Sequence, residues 1–390
     1  MNQYLVRVLL ACSRVGRRYV LFMEDKQNRV DRRQFVAGVA SAAVVAGAGV
    51  GCSDTQEQTA DLGPAADGPL TGDGPLAADG PVSPTPDAKT TGKDSGPNSL
   101  AGRVVDVHDP KSISGKTVDE KRAAAMLATG LLELTGRASL KDAWKRLIPD
   151  FAPSMRLGIK VNCINAGAAN SVPFLRALVG TLTKDLGAAA AKITVWDRTA
   201  WELKGAKVTA AALGVSTAYT EGNGAGYETK AQTVNGKQVR LSRVMTQKTD
   251  LTINCGVLKD HELAGMTGAL KNMYGCIDAP GSFHSQMDKE VPGLFNLPEA
   301  RKRQRVFLIE GFVAVATGGP VGPATHAPGR LLLSADPLAI DVHAVALLDE
   351  LRKQKGEVPV PPQLLKWIAA AAALGLGQDK PVVSKKTIKS

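Results

Sequence analysis

The chain has 390 residues, enough for one large domain or two ordinary ones, and its 44% hydrophobic content is that of a globular protein. Its net charge of +11 is uneven: residues 1–52 hold 8 Lys/Arg against 3 Asp/Glu, leaving 40 against 34 in the rest. So mild a basic excess, with 4% aromatics to stack on bases, argues against nucleic acid as a partner.

In chain order, the first marked feature is Asp31-Arg-Arg-Gln-Phe-Val36, which opens an Ala/Gly/Val run ending at Gly49-Val-Gly-Cys52. A charged start, a modest apolar stretch and small residues at its end make a secretory signal. The paired arginines followed after one residue by Phe35 narrow it to the twin-arginine type. The run is too rich in Ala and Gly to gain much by spanning a bilayer. Residues 1–52 therefore read as a twin-arginine signal peptide, Cys52 as a candidate lipidation site, and the twin-arginine export machinery as a partner. Met23 offers a second start with a more ordinary charged region.

Residues 53–99 carry a short repeat, Asp67-Gly68-Pro69, Asp73-Gly74-Pro75 and Asp79-Gly80-Pro81, with almost no large apolar side chains. Such a segment cannot bury enough surface to repay ordering, and reads as a flexible linker. Signal, spacer and domain in this order predict a periplasmic or cell-surface protein, touching the membrane only through its N-terminal tether.

Residues 100–390 read as a single α/β domain. Predicted strands are 103–107, 157–161, 192–196, 250–254, 306–309 and 331–333. Predicted helices are 118–134, 140–147, 172–186, 241–246, 337–352 and 362–373. Short apolar runs alternating with amphipathic segments imply a mainly parallel sheet with crossover helices. Residues 205–240, rich in Gly and Thr, suggest a small antiparallel insertion. The basic run Arg301, Lys302, Arg303 and Arg305 reads as a solvated helix face.

Polar residues gather at the predicted strand ends: Lys160 and Asn162 at one, Asp197 and Arg198 at the next, then Lys259, Asp260 and His261, and lastly Asp336. In an open α/β sheet the carboxyl ends of the strands share one edge, where ligands bind. Lys160, Asn162, Arg198, Lys271, Asn272 and Asp336 are thus candidate ligand-binding residues. His261, with Lys259 and Asp197, is the candidate acid–base group. Gly265 and Gly268 permit close backbone approach before Lys271, and free N–H groups at a helix start there would attract an anion. His284 lies nearby in a Gly-Ser-Phe-His loop, so His261 and His284 form a candidate divalent-metal pair. Five cysteines without any Cys-x-x-Cys spacing provide no iron–sulfur motif and no zinc ribbon.

In their order, Gly158-Ile-Lys-Val-Asn-Cys163, Val195-Trp-Asp-Arg198, Leu258-Lys-Asp-His261, Thr267-Gly-Ala-Leu-Lys-Asn-Met-Tyr-Gly275, Ser334-Ala-Asp-Pro-Leu-Ala-Ile-Asp341 and Leu374-Gly-Leu-Gly377 resemble the domain-of-unknown-function 362 family, in its exported, twin-arginine subgroup. The resemblance implies that Lys160, Asn162, Asp197, Arg198, Lys259, His261, Lys271, Asn272, Asp336 and Asp341 occupy motif positions. It supplies no reaction. Some members carry ferredoxin-type modules, whose cysteine spacing is missing here.

The leading expectation is an exported enzyme acting on a small anionic or carboxylated molecule, with a metal-assisted variant. The alternatives are a non-catalytic ligand- or cofactor-binding protein and an accessory partner of an exported redox complex.

Overall fold

The computed structural model describes residues 4–13, 16–25 and 99–388. Within the N-terminal unit, Tyr4–Ser13 and Gly16–Asp25 pair as an antiparallel hairpin. The twin-arginine segment, Cys52 and nearly all of the 53–99 linker lie outside the described residues.

The second unit is built on a nine-stranded sheet. Its strands are β1 (Arg103–His108), β2 (Leu157–Lys160), β3 (Ile193–Asp197), β4 (Ser216–Tyr219), β5 (Leu251–His261), β6 (Gly265–Thr267), β7 (Gln304–Val315), β8 (Arg330–Ser334) and β9 (Val382–Thr387). The order across the sheet is β9-β1-β8-β7-β5-β2-β3-β4, with β6 paired to the overhanging end of β5. The run β7-β5-β2-β3-β4 is parallel, and so is β9 on β1, whereas β8 is antiparallel to both neighbours. This is the expected α/β class.

Helices cover both faces, so the central strands are apolar on both sides. In β7, Val306 and Leu308 face one core while Phe307 and Ile309 face the other. The first core holds α1 (Glu120–Thr135), α2 (Leu140–Leu147) and α3 (Val172–Thr181). Next in sequence, α4 (Ala200–Gly205) follows β3, opened by a reciprocal Thr199/Glu202 capping box. The second core packs α5 (Met287–Phe295), α6 (Pro337–Gln354) and α7 (Lys366–Ala373). No helix among the described residues is long and apolar enough to cross a membrane.

Three local expectations need correction. The strand predicted over 250–254 runs on to His261, because Cys255-Gly-Val-Leu258 continues the apolar run and β6 supplies a partner for its end. The helix predicted over 241–246 is a single turn at Val244–Lys248, since Leu241 and Ser242 are already bridged to Ile277 and Tyr227. The region 205–240 does hold a small antiparallel hairpin (Gln232–Val234 with Lys237–Val239), but it also contributes β4 to the main sheet. A further strand, β9, is a half-exposed edge strand whose sequence Val-Val-Ser-Lys-Lys-Thr lacks a strong period to mark it.

Candidate functional site

Adjacent parallel strands β5, β2 and β3 end at one edge, where a cavity of about 240 Å³ opens. Its lining includes Lys160, Asn162, Asp197, Arg198, His261, Lys271, Asn272 and His284, so eight of the residues expected from sequence come together.

Lys160, at the end of β2, spends all three N–H bonds on Asp197 Oδ1 (2.8 Å), Val161 O (2.6 Å) and Asn272 Oδ1 (3.2 Å). Burial works against its charge, but the Asp197 carboxylate holds its pKa above the ordinary lysine value. Asp197 is equally occupied, accepting from Cys163 N (2.7 Å) and Arg198 N (2.8 Å) as well. The structure therefore does not pair Asp197 with His261. Gly275 passes so close that an added Cβ would sit 2.6 Å from Lys160 Nζ.

Lys259, within β5, is fully buried and donates to Asn162 Oδ1 (2.7 Å). Burial lowers its pKa to about 8. Lys271 is the odd one out: its Nζ lies 3.2 Å from His284 Nε2 and 3.8 Å from the Tyr274 ring centroid. No carboxylate pairs with it among the described residues, and burial brings its pKa down to about 7.

The tautomers follow from the hydrogen bonds. His284 Nδ1 lies 2.8 Å from Pro280 O, which can only accept, so Nδ1 carries the proton and Nε2 accepts from Lys271. His261 Nδ1 accepts from Leu263 N (3.1 Å), which leaves its proton on Nε2. The two rings stack at 5.5 Å. Burial, then the neighbouring Lys271, His284 and Lys259, lower the pKa of His261 to about 2, while burial and Lys271 lower that of His284 to about 4. Both imidazoles are neutral at neutral pH. His261 is thus a hydrogen-bond donor into the site rather than a base matched to pH 7.

This donor set does not suit the metal expected at His261 and His284. Both nitrogens of His284 are taken, one by an ammonium, and no group of three or more His, Cys, Asp or Glu among the described residues could hold an ion.

Two further expectations change place. Asp336 does not line the cavity: it caps α6 through Leu338 N and Ala339 N, and also accepts from Gly102 N and Gln378 N. The anion expected at the turn before Lys271 is supplied internally by Asp341, which accepts from Ala269 N (2.6 Å) and Leu270 N (3.0 Å). The basic run is tied to the surface through Arg301 with Gly375 O, Arg303 with Glu299 and Arg305 with Asp150.

Sequence reasoning missed Tyr274, Glu202 and Glu290. Tyr274 lay within the quoted Lys-Asn-Met-Tyr-Gly segment, and Glu202 sits four residues after Arg198, the spacing of a helical ion pair. Glu290, buried on α5, binds Lys237, Ser285 Oγ and Gln286 N and so holds the His284 loop; nothing in the sequence marks it.

Fold and site together define an α/β protein with a polar cavity at the carboxyl edge of its parallel strands. Residues 157–346 match the family model described as Domain of unknown function (DUF362), a span that takes in every residue from Lys160 to Asp341 discussed above. No curated protein matches the chain. Among solved structures, a crystal structure of a protein from Thermotoga maritima, a structural genomics target, is similar at 11% identity with a TM-score of 0.34. The likeness covers 62% of this chain and 60% of that one.

Proposed function

We propose that this protein is exported by the twin-arginine route, is tethered outside the cytoplasm through its N-terminal segment, and takes a small anionic or carboxylated molecule into the cavity. One observation carries the ligand reading: Lys271 is buried against the cavity beside an imidazole and a phenol ring, and no carboxylate among the described residues pairs with it, although Asp197 and Glu202 lie on the same lining. A buried ammonium costs several kcal/mol unless paired, so the lysine sheds its proton until an anion arrives to stabilise it. The His261 Nε2–H also faces the site, as does Arg198, whose guanidinium is already paired with Glu202 (3.1 Å) and Glu221 (3.7 Å). Proton transfer falls to Lys271, whose pKa of about 7 matches neutral pH.

Calorimetric titration with carboxylates and phosphates tests this reading. A ligand should bind the wild type and lose about tenfold or more in affinity to Lys271→Met. Equal binding by both proteins would reject the site. For export, replacing Arg32 and Arg33 by Lys should hold the protein in the cytoplasm, and Cys52→Ala should release it from the membrane fraction. Unchanged fractionation would count against each step.

The alternative, an exported binding protein without chemistry, draws support from the locked Asp197 and the very weakly basic His261. Binding without any conversion of the bound anion would favour it.

A further inference from the structure

We infer that Lys271 is the nucleophile of a covalent site, forming an imine with a small carbonyl compound that also bears an anionic group, of which 2-oxo acids are the simplest class. This deepens the anion-binding reading above and rests on it.

The three buried lysines near the cavity make the case by contrast. An amine attacks a carbonyl only with its lone pair free, and a carboxylate partner or a full set of acceptors holds the proton in place. Lys160 fails on both counts, with Asp197, Val161 O and Asn272 Oδ1 using every N–H. Lys259 is shut off completely and reaches the cavity only through Asn162. Lys271 alone of the three lines the cavity without a carboxylate, and its lowered pKa leaves a large neutral fraction near pH 7. On its far side, His284 Nε2 stands at 3.2 Å as a proton acceptor, oriented by the bond from Nδ1 to Pro280 O. Nucleophile, hydrogen-bond acceptor for its N–H and orienting group are thus all present. On the same lining, the His261 Nε2–H supplies a donor for the anionic group, beside Arg198, which also pairs with Glu202 and Glu221.

The step balances without an oxidant or reductant. Neutral Nζ adds to the carbonyl carbon as the C=O π pair moves to oxygen. One nitrogen proton passes to that oxygen, with His284 Nε2 placed to relay it, giving a carbinolamine. The nitrogen lone pair then forms C=N while the C–O bond breaks. The hydroxyl takes the remaining nitrogen proton and leaves as water.

The test uses the full chain with glyoxylate as probe, sodium cyanoborohydride to trap the imine, and intact-mass analysis followed by peptide mapping. One reduced adduct per chain is expected, on Lys271. The larger neutral fraction should make it form on the order of a thousandfold faster than adducts on exposed lysines at pH 7. Lys271→Arg keeps a cation and should still bind oxamate, an oxo-acid mimic without a reactive ketone or aldehyde, but form no adduct there. Peptide mapping of the wild type decides the question even if the variant folds poorly. Labelling of Lys271 no faster than exposed lysines would overturn the imine. If oxamate still stabilised the wild type in thermal melts, the anion site would survive that failure; if it did not, both readings would fall.

Discussion

Two buried charge clusters lie in the same domain and obey opposite rules. On β1, the Asp106 carboxylate takes two bonds from Arg330 (3.1 and 3.0 Å) and one from His343 Nε2 (3.0 Å). Burial alone would raise the Asp106 pKa, but His343 and Arg330 outweigh it and hold the carboxyl below its ordinary value. At the carboxyl edge of β5, β2 and β3, by contrast, burial outweighs every charge near Lys271, His261 and His284, including Glu290 near His284, and they give up their protons. The first cluster is closed by its own partners and stabilises the fold. In the second, Lys271 meets the cavity with no carboxylate partner among the described residues, which is the feature the proposed anion site rests on.

The largest effect should come from breaking the closed cluster. Asp106→Ala leaves buried His343 and half-buried Arg330 without their carboxylate and should cost about 3–5 kcal/mol in urea unfolding, while anion affinity per folded molecule stays the same. A small stability loss would mean that water replaces the carboxylate and that the two clusters are not so different. Next, Gly275→Ala forces a methyl toward Lys160 Nζ, and should destabilise by about 1–3 kcal/mol as well as weaken ligand binding. Intact binding would show that the Lys160–Asp197 pair is not needed to shape the cavity.

The open cluster should sharpen the comparison through pH. Lys271 titrates near 7 when folded and in the ordinary lysine range when unfolded, so between these values the unfolded chain binds the extra proton. Stability of the ligand-free protein should therefore rise with pH above 7, by up to about 1.4 kcal/mol per unit. Lys271→Met should leave only the later rise from Lys259, which begins near pH 8. On the acid side, neutral His261 and His284 favour unfolding as pH drops below the ordinary histidine value toward 4, but Glu310 and Asp341, whose carboxyls burial pushes up to about 7, act in the opposite direction, so the net dependence there should be shallow. Anion affinity should fall above pH 7 as Lys271 loses its charge, and a flat profile would remove it from the site. The smallest effect belongs to the surface run: Lys302→Ala should change stability by less than about 0.5 kcal/mol in the same unfolding assay.

Much of the fold was legible because its signals are local. Apolar runs at 157–161, 192–196 and 306–309 mark their strands within a few residues of chain. Strand-end placement also brought Lys160, Asp197 and His261 to one edge, since parallel neighbours must end together. Harder to see were the roles. Lys160, Lys259 and Lys271 are alike as letters, and which is paired, sealed or free depends on Asp197, Asn162 and His284, residues 13 to 97 positions away.

By itself, then, the sequence determined the α/β class, the edge at which polar side chains collect and the residue types found there, because periodicity and strand termini are properties of short segments. Only the tertiary structure decided that Asp336 and Asp341 serve the backbone, that His284 is bound to a lysine rather than set for a metal, and that Lys271 is the unpaired amine. Those outcomes turn on burial and on partners brought from distant segments, and a side chain's proton affinity is set by its surroundings in space.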